Sequence, residues 1–310
     1  MEFIWILFAF VCGFIAKIAS LPPSIGFLSA GFILHFIGYS PNENLETLAD
    51  LGITLMLFTI GLKLNIKDLI KNEVWLSTSL HSVFWVAGGV GLFKLLSVTA
   101  VSYFTELDMT AAAIIVFALS FSSTVGIVKL LEENGEMKTR HGKLAIGILV
   151  VQDIIAVAFL VLATGKIPTV WAFLLLLLFP LKPIIFRFIN SFGHGELLPL
   201  GGFVLALGGY ELFSLVQIKG DLGALLIGMF LANHPKATEI SKSLLSFKDI
   251  FLIGFFLSIG FVALPNLEMI TVATLLVLLF IPIKFILFYA IFNKMKLRCR
   301  TSFLSALMLS

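Results

Sequence analysis

The chain of 310 residues is 59% hydrophobic and 13% charged, with a formal net charge of +3 and a mean hydropathy of +1.09. Soluble domains carry about 25% charged residues, so the composition excludes a soluble domain and indicates a membrane protein embedded in a lipid bilayer. The small positive charge is explained by the loops between apolar segments and predicts no nucleic-acid partner.

Apolar runs of about 17–25 residues predict transmembrane helices. In chain order the sequence predicts eleven spans, over residues 3–19, 22–39, 48–62, 74–97, 110–130, 143–164, 168–189, 197–217, 220–234, 248–264 and 268–293. The final residues, TSFLSALMLS, are expected to open a twelfth. The predicted fold class is an all-α polytopic membrane protein with about 11 complete spans plus the start of a twelfth.

Lysine and arginine residues concentrate in alternate predicted loops, which sets the orientation by the positive-inside rule. Placing the N-terminus outside puts most of the 21 basic residues on the inner side, among them Lys138, Arg140, Lys294 and Arg298. Glu2, in place of a basic leader, favours a retained first helix over a signal peptide. We expect a multi-pass protein of the cell inner (plasma) membrane, with the C-terminal end of span 11 in the cytoplasm.

Two pairs of segments resemble one another at a nearly constant offset. GFLSAGFILH at 26–35 matches GALLIGMFLA at 223–232, and MLFTIGL at 56–62 matches FFLSIGF at 255–261. The members of each pair would cross the membrane in opposite directions, as in the inverted repeats of secondary transporters. Chance similarity between glycine-rich apolar helices is the alternative. The repeat also predicts an incomplete chain, because the mates of residues 120–124 and of Asp153 would lie beyond residue 310.

Asp153, in LVVQDIIAV, is a carboxylate in the middle of an apolar span. An ionised group there costs several kcal/mol at least and usually faces a water-filled cavity or a charged partner. Such a carboxylate can hold either a proton or a metal cation, although packing against a neighbouring helix is the alternative. The adjacent Gln152 is more typical of a helix-packing amide, but its carbonyl oxygen could serve a cation.

Lys284, in LLFIPIKFILFYA, is the only basic residue deep in a predicted span. An ammonium there needs an anionic partner or water, and Asp153 is the predicted partner. The alternative is a bond to backbone carbonyls freed by the nearby Pro282.

The segment ALSFSSTVGIVK, which contains Ser123 and Thr124, places several hydroxyl groups in span 5. They could satisfy the backbone of a broken helix whose freed carbonyls then coordinate a cation. Equally, small residues at these positions could let two helices approach closely.

Nothing in the sequence indicates an enzyme. The chain has neither a glycine-rich phosphate loop nor a His/Cys set with metal-ligand spacing, and its hydrophilic connections are too short for a soluble catalytic domain. Cys12 and Cys299 lie near opposite ends of the chain and indicate neither a disulfide nor a metal site. We therefore expect no cofactor within this chain.

With these residues in place, the chain resembles the monovalent cation:proton antiporter-2 family, and within it the Kef-type potassium/proton antiporters. The combination of SST…K, QD and FFLSIG is the specific part of the resemblance. The matching segments follow the family's order: LPPSIGFLSAGFILHFIG, LADLGITLMLFTIGLKL, LSFSSTVGIVKLL, GKLAIGILVVQDIIAV, GALLIGMFLA and FKDIFLIGFFLSIGF.

The resemblance implies an inverted-repeat antiporter fold of thirteen helices, with a dimer-forming scaffold and a mobile core in which two discontinuous helices cross. Residues 1–310 would then form one incomplete transmembrane transport domain, with span 5 as the first crossing helix. The second crossing helix, the last span and any cytoplasmic regulatory domain would lie beyond residue 310. The implied partners are a second copy of the chain, in a homodimer, and a cytoplasmic regulatory domain or subunit.

The resemblance also implies residue roles. Asp153 falls on the carboxylate that binds the cation or the proton, Ser123 and Thr124 fall on the helix break, and Lys284 falls on the supporting basic residue. The pair Gln152-Asp153 resembles the potassium-linked group. We therefore predict secondary active exchange of K⁺, or less favourably Na⁺, for H⁺ by alternating access, with Gln152, Ser123 and Thr124 as further ion ligands. A ligand-gated cation channel and a Na⁺/H⁺ antiporter are the alternatives.

Overall fold

A computed structural model describes residues 3–64, 70–96, 109–164, 169–262 and 266–310 of the chain. Within these ranges all regular elements are helical. The α-helices are α1 (Phe3–Ile18), α2 (Pro23–Ile37), α3 (Glu43–Lys63), α4 (Asn72–Leu96), α5 (Met109–Ser120), α6 (Thr124–Glu133), α7 (Arg140–Thr164), α8 (Leu178–Asn190), α9 (Leu197–Leu215), α10 (Gly220–Leu231), α11 (Ala237–Ser243), α12 (Leu245–Phe261), α13 (Leu267–Lys294) and α14 (Cys299–Leu309).

The prediction of about eleven complete spans and the start of a twelfth is wrong. By length and composition, the described residues contain four helices that could cross a membrane: Glu43–Lys63, Met109–Glu133, Leu197–Leu215 and Met269–Lys294. The bent pair Ala237–Ser243 and Leu245–Phe261, which meet at 51°, raises the number to five if it counts as one span. The predicted span ends at 97, 168 and 264 lie outside the described residues.

Helix length explains most of this error. An α-helix needs about 20 apolar residues to cross the hydrocarbon core, but α1, α2, α10 and α14 have only 16, 15, 12 and 11 residues. The predicted seventh span is divided between a 3₁₀ segment, Val170–Leu177, and α8. Apolar runs in the sequence therefore continue past the points where the helices end.

Local signals set several of these helix ends. The side chain of Asn42 accepts a hydrogen bond from the backbone N–H of Leu45 (3.0 Å) and caps the start of α3, as asparagine does at helix N-termini. Helix α2 begins at Pro23, whose missing N–H costs nothing in a first turn. It ends at Ile37, and the next residue, Gly38, has a φ of 100°, which is the left-handed conformation that favours glycine.

The chain forms two compact units. The first comprises Met1–Asn65 and Phe159–Leu267, and the second comprises Ile66–Ala158 and Glu268–Ser310. In the first unit α3 packs against both α10 and α12, and α2 packs against α1 and α12. In the second unit α4 packs against α5, where Trp85, Ala112 and Val116 form a buried cluster with Phe280 of α13.

Four glycines make the helix contacts of the first unit possible. A Cβ atom built on Gly31 of α2 would lie within 3.0 Å of backbone atoms of α12, including the Cα of Gly260, and a Cβ on Gly228 of α10 would lie equally close to the backbone of α3 at Phe58 and Gly61. Gly31 corresponds to Gly228 in the sequence repeat, and Gly61 corresponds to Gly260. The two repeated segments thus make the same kind of glycine contact twice.

Candidate functional site

The site is built around an interruption between two helices of the second unit. Helix α5 ends at Ser120 and α6 begins at Thr124, so the residues between them leave helix-end backbone groups without intrahelical partners. The hydroxyl of Ser123 accepts a hydrogen bond from the backbone N–H of Gly126 (3.2 Å) and caps the start of α6. This cap fixes where the second helix begins.

Gln152 of α7 holds the two sides of the interruption together. Its Nε2 donates to the carbonyl oxygen of Ser120 (3.2 Å), and its Oε1 accepts from the backbone N–H of Ser122 (3.2 Å). The side chain is only 2% exposed, so these bonds replace water that the backbone groups cannot reach. The side-chain amide of Gln152 therefore has a structural role, because its donor and its acceptor both bond backbone groups of the helix break.

Asp153 lies at the opposite end of the same break, against the first turn of α6. The hydroxyl of Thr124 is 3.4 Å from the Oδ2 of Asp153, in position to donate to the carboxylate. The side chain is half-buried. A helix N-terminus carries a partial positive charge that stabilises an anion nearby, so both the hydroxyl and the helix end favour a carboxylate at this point.

Lys284 of α13 bonds the end of the break that follows α5. Its ammonium donates to the carbonyl oxygen of Phe121 (2.8 Å), directly after the end of α5, and the residue is 5% exposed. The sequence did not predict this acceptor, which belongs to a different helix from the carbonyls near Pro282, and the predicted pair with Asp153 stays a prediction. A helix C-terminus carries a partial negative charge, so the ammonium is stabilised where α5 ends.

Two further polar residues of the second unit, Ser122 and His81, contact other helices of that unit. Ser122 Oγ donates to the carbonyl oxygen of Leu309 in α14, which the sequence did not predict. His81 of α4 is fully buried and stacks on Phe288, with ring centroids 3.7 Å apart. Neither ring nitrogen of His81 has a hydrogen-bond partner within the described part of the chain, so its contacts are those of a packed aromatic ring.

The predicted site residues therefore have different surroundings. Asp153 and Thr124 lie together, whereas Gln152 and Ser123 bond backbone groups of the interruption, and Lys284 bonds a carbonyl of the same interruption. Carboxylate and hydroxyl oxygens are ligands that suit a hard cation. In the described ranges no cluster of three or more His, Cys, Asp or Glu residues could hold a metal ion, so a cation at this site would depend on Asp153 and neutral oxygens.

Replacing Gln152 with leucine is expected to lower the stability of the folded protein. The change would leave the carbonyl of Ser120 and the N–H of Ser122 unsatisfied in a buried place, at a cost of about 1–3 kcal/mol for each group. The melting temperature of the purified protein would measure the loss. An Asp153→Asn variant is the comparison, since asparagine keeps the shape of its site and should melt close to the wild type. A Gln152→Leu protein with an unchanged melting temperature would contradict the structural role of Gln152.

The chain matches the family described as sodium/hydrogen exchanger, transmembrane, over residues 6–310. It is similar to the iron transporter MagA of Paramagnetospirillum magneticum, with 28% identity over 275 residues that cover 82% of this chain and 61% of that protein. It is also similar to the putative cation/proton antiporter YbaL of Escherichia coli, with 26% identity over 311 residues that cover 89% of this chain and 54% of that protein.

A third relative is the putative K(+) efflux antiporter KefB of Alkalimonas amylolytica, with 28% identity over 291 residues that cover 86% of this chain and 43% of that protein. This chain thus spans less than two thirds of the length of each of these relatives.

Proposed function

The chain belongs to the sodium/hydrogen exchanger family, and we propose that it is a membrane antiporter that exchanges a monovalent cation for a proton. The observation that carries this proposal is the position of Asp153, whose carboxylate faces the Thr124 hydroxyl at the first turn of α6. One carboxylate cannot hold a proton and a cation well at the same time, because each neutralises the same charge. Loading of one ion therefore expels the other, and the gradient of one drives movement of the other.

K⁺ is the proposed cation and Na⁺ the alternative. The proposal for K⁺ is supported by the Gln152-Asp153 pair and by the name of the K(+) efflux antiporter relative. Asp153 and Thr124 supply the oxygens nearest a bound cation, and Gln152, Ser123 and Lys284 hold the backbone of the break in place around them. Exchange proceeds by alternating access, since the single carboxylate must face each side of the membrane in turn.

The remaining proposals concern the setting of this site. The chain is a membrane protein, and we assign it to the cell inner (plasma) membrane with the N-terminus outside. A homodimer and a cytoplasmic regulatory domain or subunit are proposed as its partners, and K⁺ or Na⁺ and H⁺ as the ions that it transports. Labelling of Cys299, an exposed thiol, with a membrane-impermeant reagent tests the orientation. We expect this thiol to react only after the cells are permeabilised, and labelling in intact cells would overturn the proposed orientation.

Proton flux across proteoliposomes tests the proposed exchange. The purified protein is reconstituted with a pH-sensitive dye inside, and K⁺, Na⁺ or choline is added outside in separate experiments. We expect saturable proton flux with K⁺ and none with choline. Proton flux that occurs with Na⁺ but not with K⁺ would make Na⁺ the exchanged cation instead of K⁺. Cation movement without proton movement would overturn the antiporter and favour a channel.

A further inference from the structure

A buried histidine of the second unit has bonding capacity that its packing does not use. His81 of α4 is fully buried, and both of its ring nitrogens lack a hydrogen-bond partner within the described ranges. Its ring stacks on Phe288 of α13 and, at 5.6 Å between ring centroids, on Trp85 of the next turn. A phenylalanine could make the same ring contacts without burying polar atoms. Because buried polar groups without a partner are rare in folded proteins, the two nitrogens need an explanation other than packing.

Lys284 lies beside this histidine. Phe280, Lys284 and Phe288 follow one another at intervals of four residues and so occupy one face of α13. The outer two contact α4, since Phe280 packs against Trp85 and Phe288 stacks on His81. The stem of Lys284 therefore lies between the levels of Trp85 and His81. Its ammonium is close enough for its charge to act on the His81 imidazole.

The two side chains have complementary hydrogen-bonding groups. An ammonium has three donors, and in the described part of the chain Lys284 makes one hydrogen bond, to the carbonyl oxygen of Phe121. A neutral imidazole offers one acceptor nitrogen, and His81 uses neither nitrogen among the described residues. Both residues are shielded from water. Unused donors and an unused acceptor therefore lie on neighbouring buried side chains.

We propose that His81 positions Lys284 as the second acceptor for its ammonium when a cation occupies the helix break, a role that rests on the proposed ion exchange. A cation beside Asp153 and Thr124 brings a second positive charge to the interruption that contains Phe121, and like charges repel. An ammonium displaced from the Phe121 carbonyl still needs a partner in an apolar interior, and a nitrogen of His81 provides one. The lysine thus alternates between two acceptors as the site is loaded and emptied.

Proton flux and melting temperature, measured together on His81 variants, test this role. His81→Phe keeps the ring contacts but removes the acceptor, so K⁺-driven proton flux in proteoliposomes should fall roughly tenfold, the effect of losing one hydrogen bond to a charged group. The melting temperature should not fall, because the wild-type nitrogens stabilise no contact of the packed ring. His81→Gln and His81→Asn place an amide oxygen near the positions of Nε2 and Nδ1, and the variant that reproduces the accepting nitrogen should recover most of the lost flux.

His35 provides the matched control. The Nδ1 of this histidine in α2 is also buried without a partner among the described residues, but α2 belongs to the first unit and the helix break to the second. His35→Phe should therefore keep wild-type flux. A His81→Phe protein with wild-type flux, or one whose flux falls only together with its melting temperature, would overturn the positioning role and leave His81 as a packed ring. Equal losses of flux in the two variants would overturn it as well.

Nitrogen NMR of protein with labelled imidazole rings observes the second acceptor directly and separates it from the exchange itself. The chain has five histidines, and the signals of His81 are those absent from His81→Phe. In proteoliposomes K⁺ should shift the signal of the accepting nitrogen and choline should not. Lys284→Met, which keeps an unbranched stem without donors, should abolish the shift.

Flux measured on the same vesicles separates the two possible failures. If K⁺ drives proton flux but leaves the His81 signals unchanged, or shifts them equally in Lys284→Met, His81 is not the second acceptor although the proposed exchange stands. If no cation drives proton flux, the proposed exchange is wrong and the positioning role of His81 is overturned with it.

Discussion

Replacing Asp153 with asparagine is expected to abolish cation-coupled proton flux while leaving the protein folded. Asparagine has nearly the same shape and can still accept the hydrogen bond from Thr124, which lies 3.4 Å from the present carboxylate. It has no charge to attract a cation and no site for an exchangeable proton at neutral pH. The competition between the two ions is therefore lost, and flux in proteoliposomes should fall to the level of protein-free vesicles.

A second aspartate provides the control for this experiment. Asp221 lies in the first turn of α10 and pairs with Lys219 at 3.3 Å, outside the unit that contains the helix break. The variant Asp221→Asn should keep wild-type flux under the same conditions. If Asp153→Asn retains flux that depends on K⁺ or Na⁺, Asp153 is not the shared ion site and the proposed mechanism is wrong.

Replacing Gly228 with leucine is expected to prevent the first unit from folding. A Cβ atom at this position would lie within 3.0 Å of the carbonyl oxygen of Phe58 and against the Cα of Gly61. Because the obstacle is the backbone of α3 rather than a flexible side chain, α3 and α10 would have to move apart. Overpacking costs about 1–3 kcal/mol and occasionally more. A clash with backbone on both helices belongs to the upper end of this range, which is a large part of the roughly 5–15 kcal/mol that stabilises a typical protein.

The matched control is Gly208→Leu in α9 of the same unit, where an added Cβ would meet no atom within 4 Å. Both variants add the same side chain to a helical glycine, so differences between them report the close approach and not the loss of glycine. Size-exclusion chromatography in detergent should show a single folded species for Gly208→Leu and aggregate for Gly228→Leu. A Gly228→Leu protein that elutes and melts like Gly208→Leu would contradict the close packing of α3 and α10.

The family of the chain was predictable from short motifs, and the match over residues 6–310 confirms the predicted resemblance. The motifs are local in sequence, so a single chain is enough to recognise them. The sequence repeat likewise predicted which glycines correspond, and Gly31 and Gly228 each lie at a backbone contact in the first unit. The role of Asp153 in ion exchange stays a prediction.

The contacts around the helix break were only partly predictable. The sequence pointed to Asp153, Thr124 and Lys284 because polar side chains in an apolar helix need partners. It did not indicate the carbonyl of Phe121 as the acceptor for Lys284, or the pair of bonds from Gln152 to the backbone around Ser122. Backbone groups carry no sequence signal, so their partners appear only when the helices are placed.

The sequence by itself determined that this chain is a membrane protein of the sodium/hydrogen exchanger family, because composition and motif order do not depend on how distant segments meet. The tertiary structure decided the helix lengths that overturn the predicted eleven spans, because a helix end depends on caps and packing as well as on apolar residues. It also decided which atoms hold the helix break, through hydrogen bonds between residues 29 to 187 positions apart. Such contacts depend on the packing of whole helices, which local sequence does not encode.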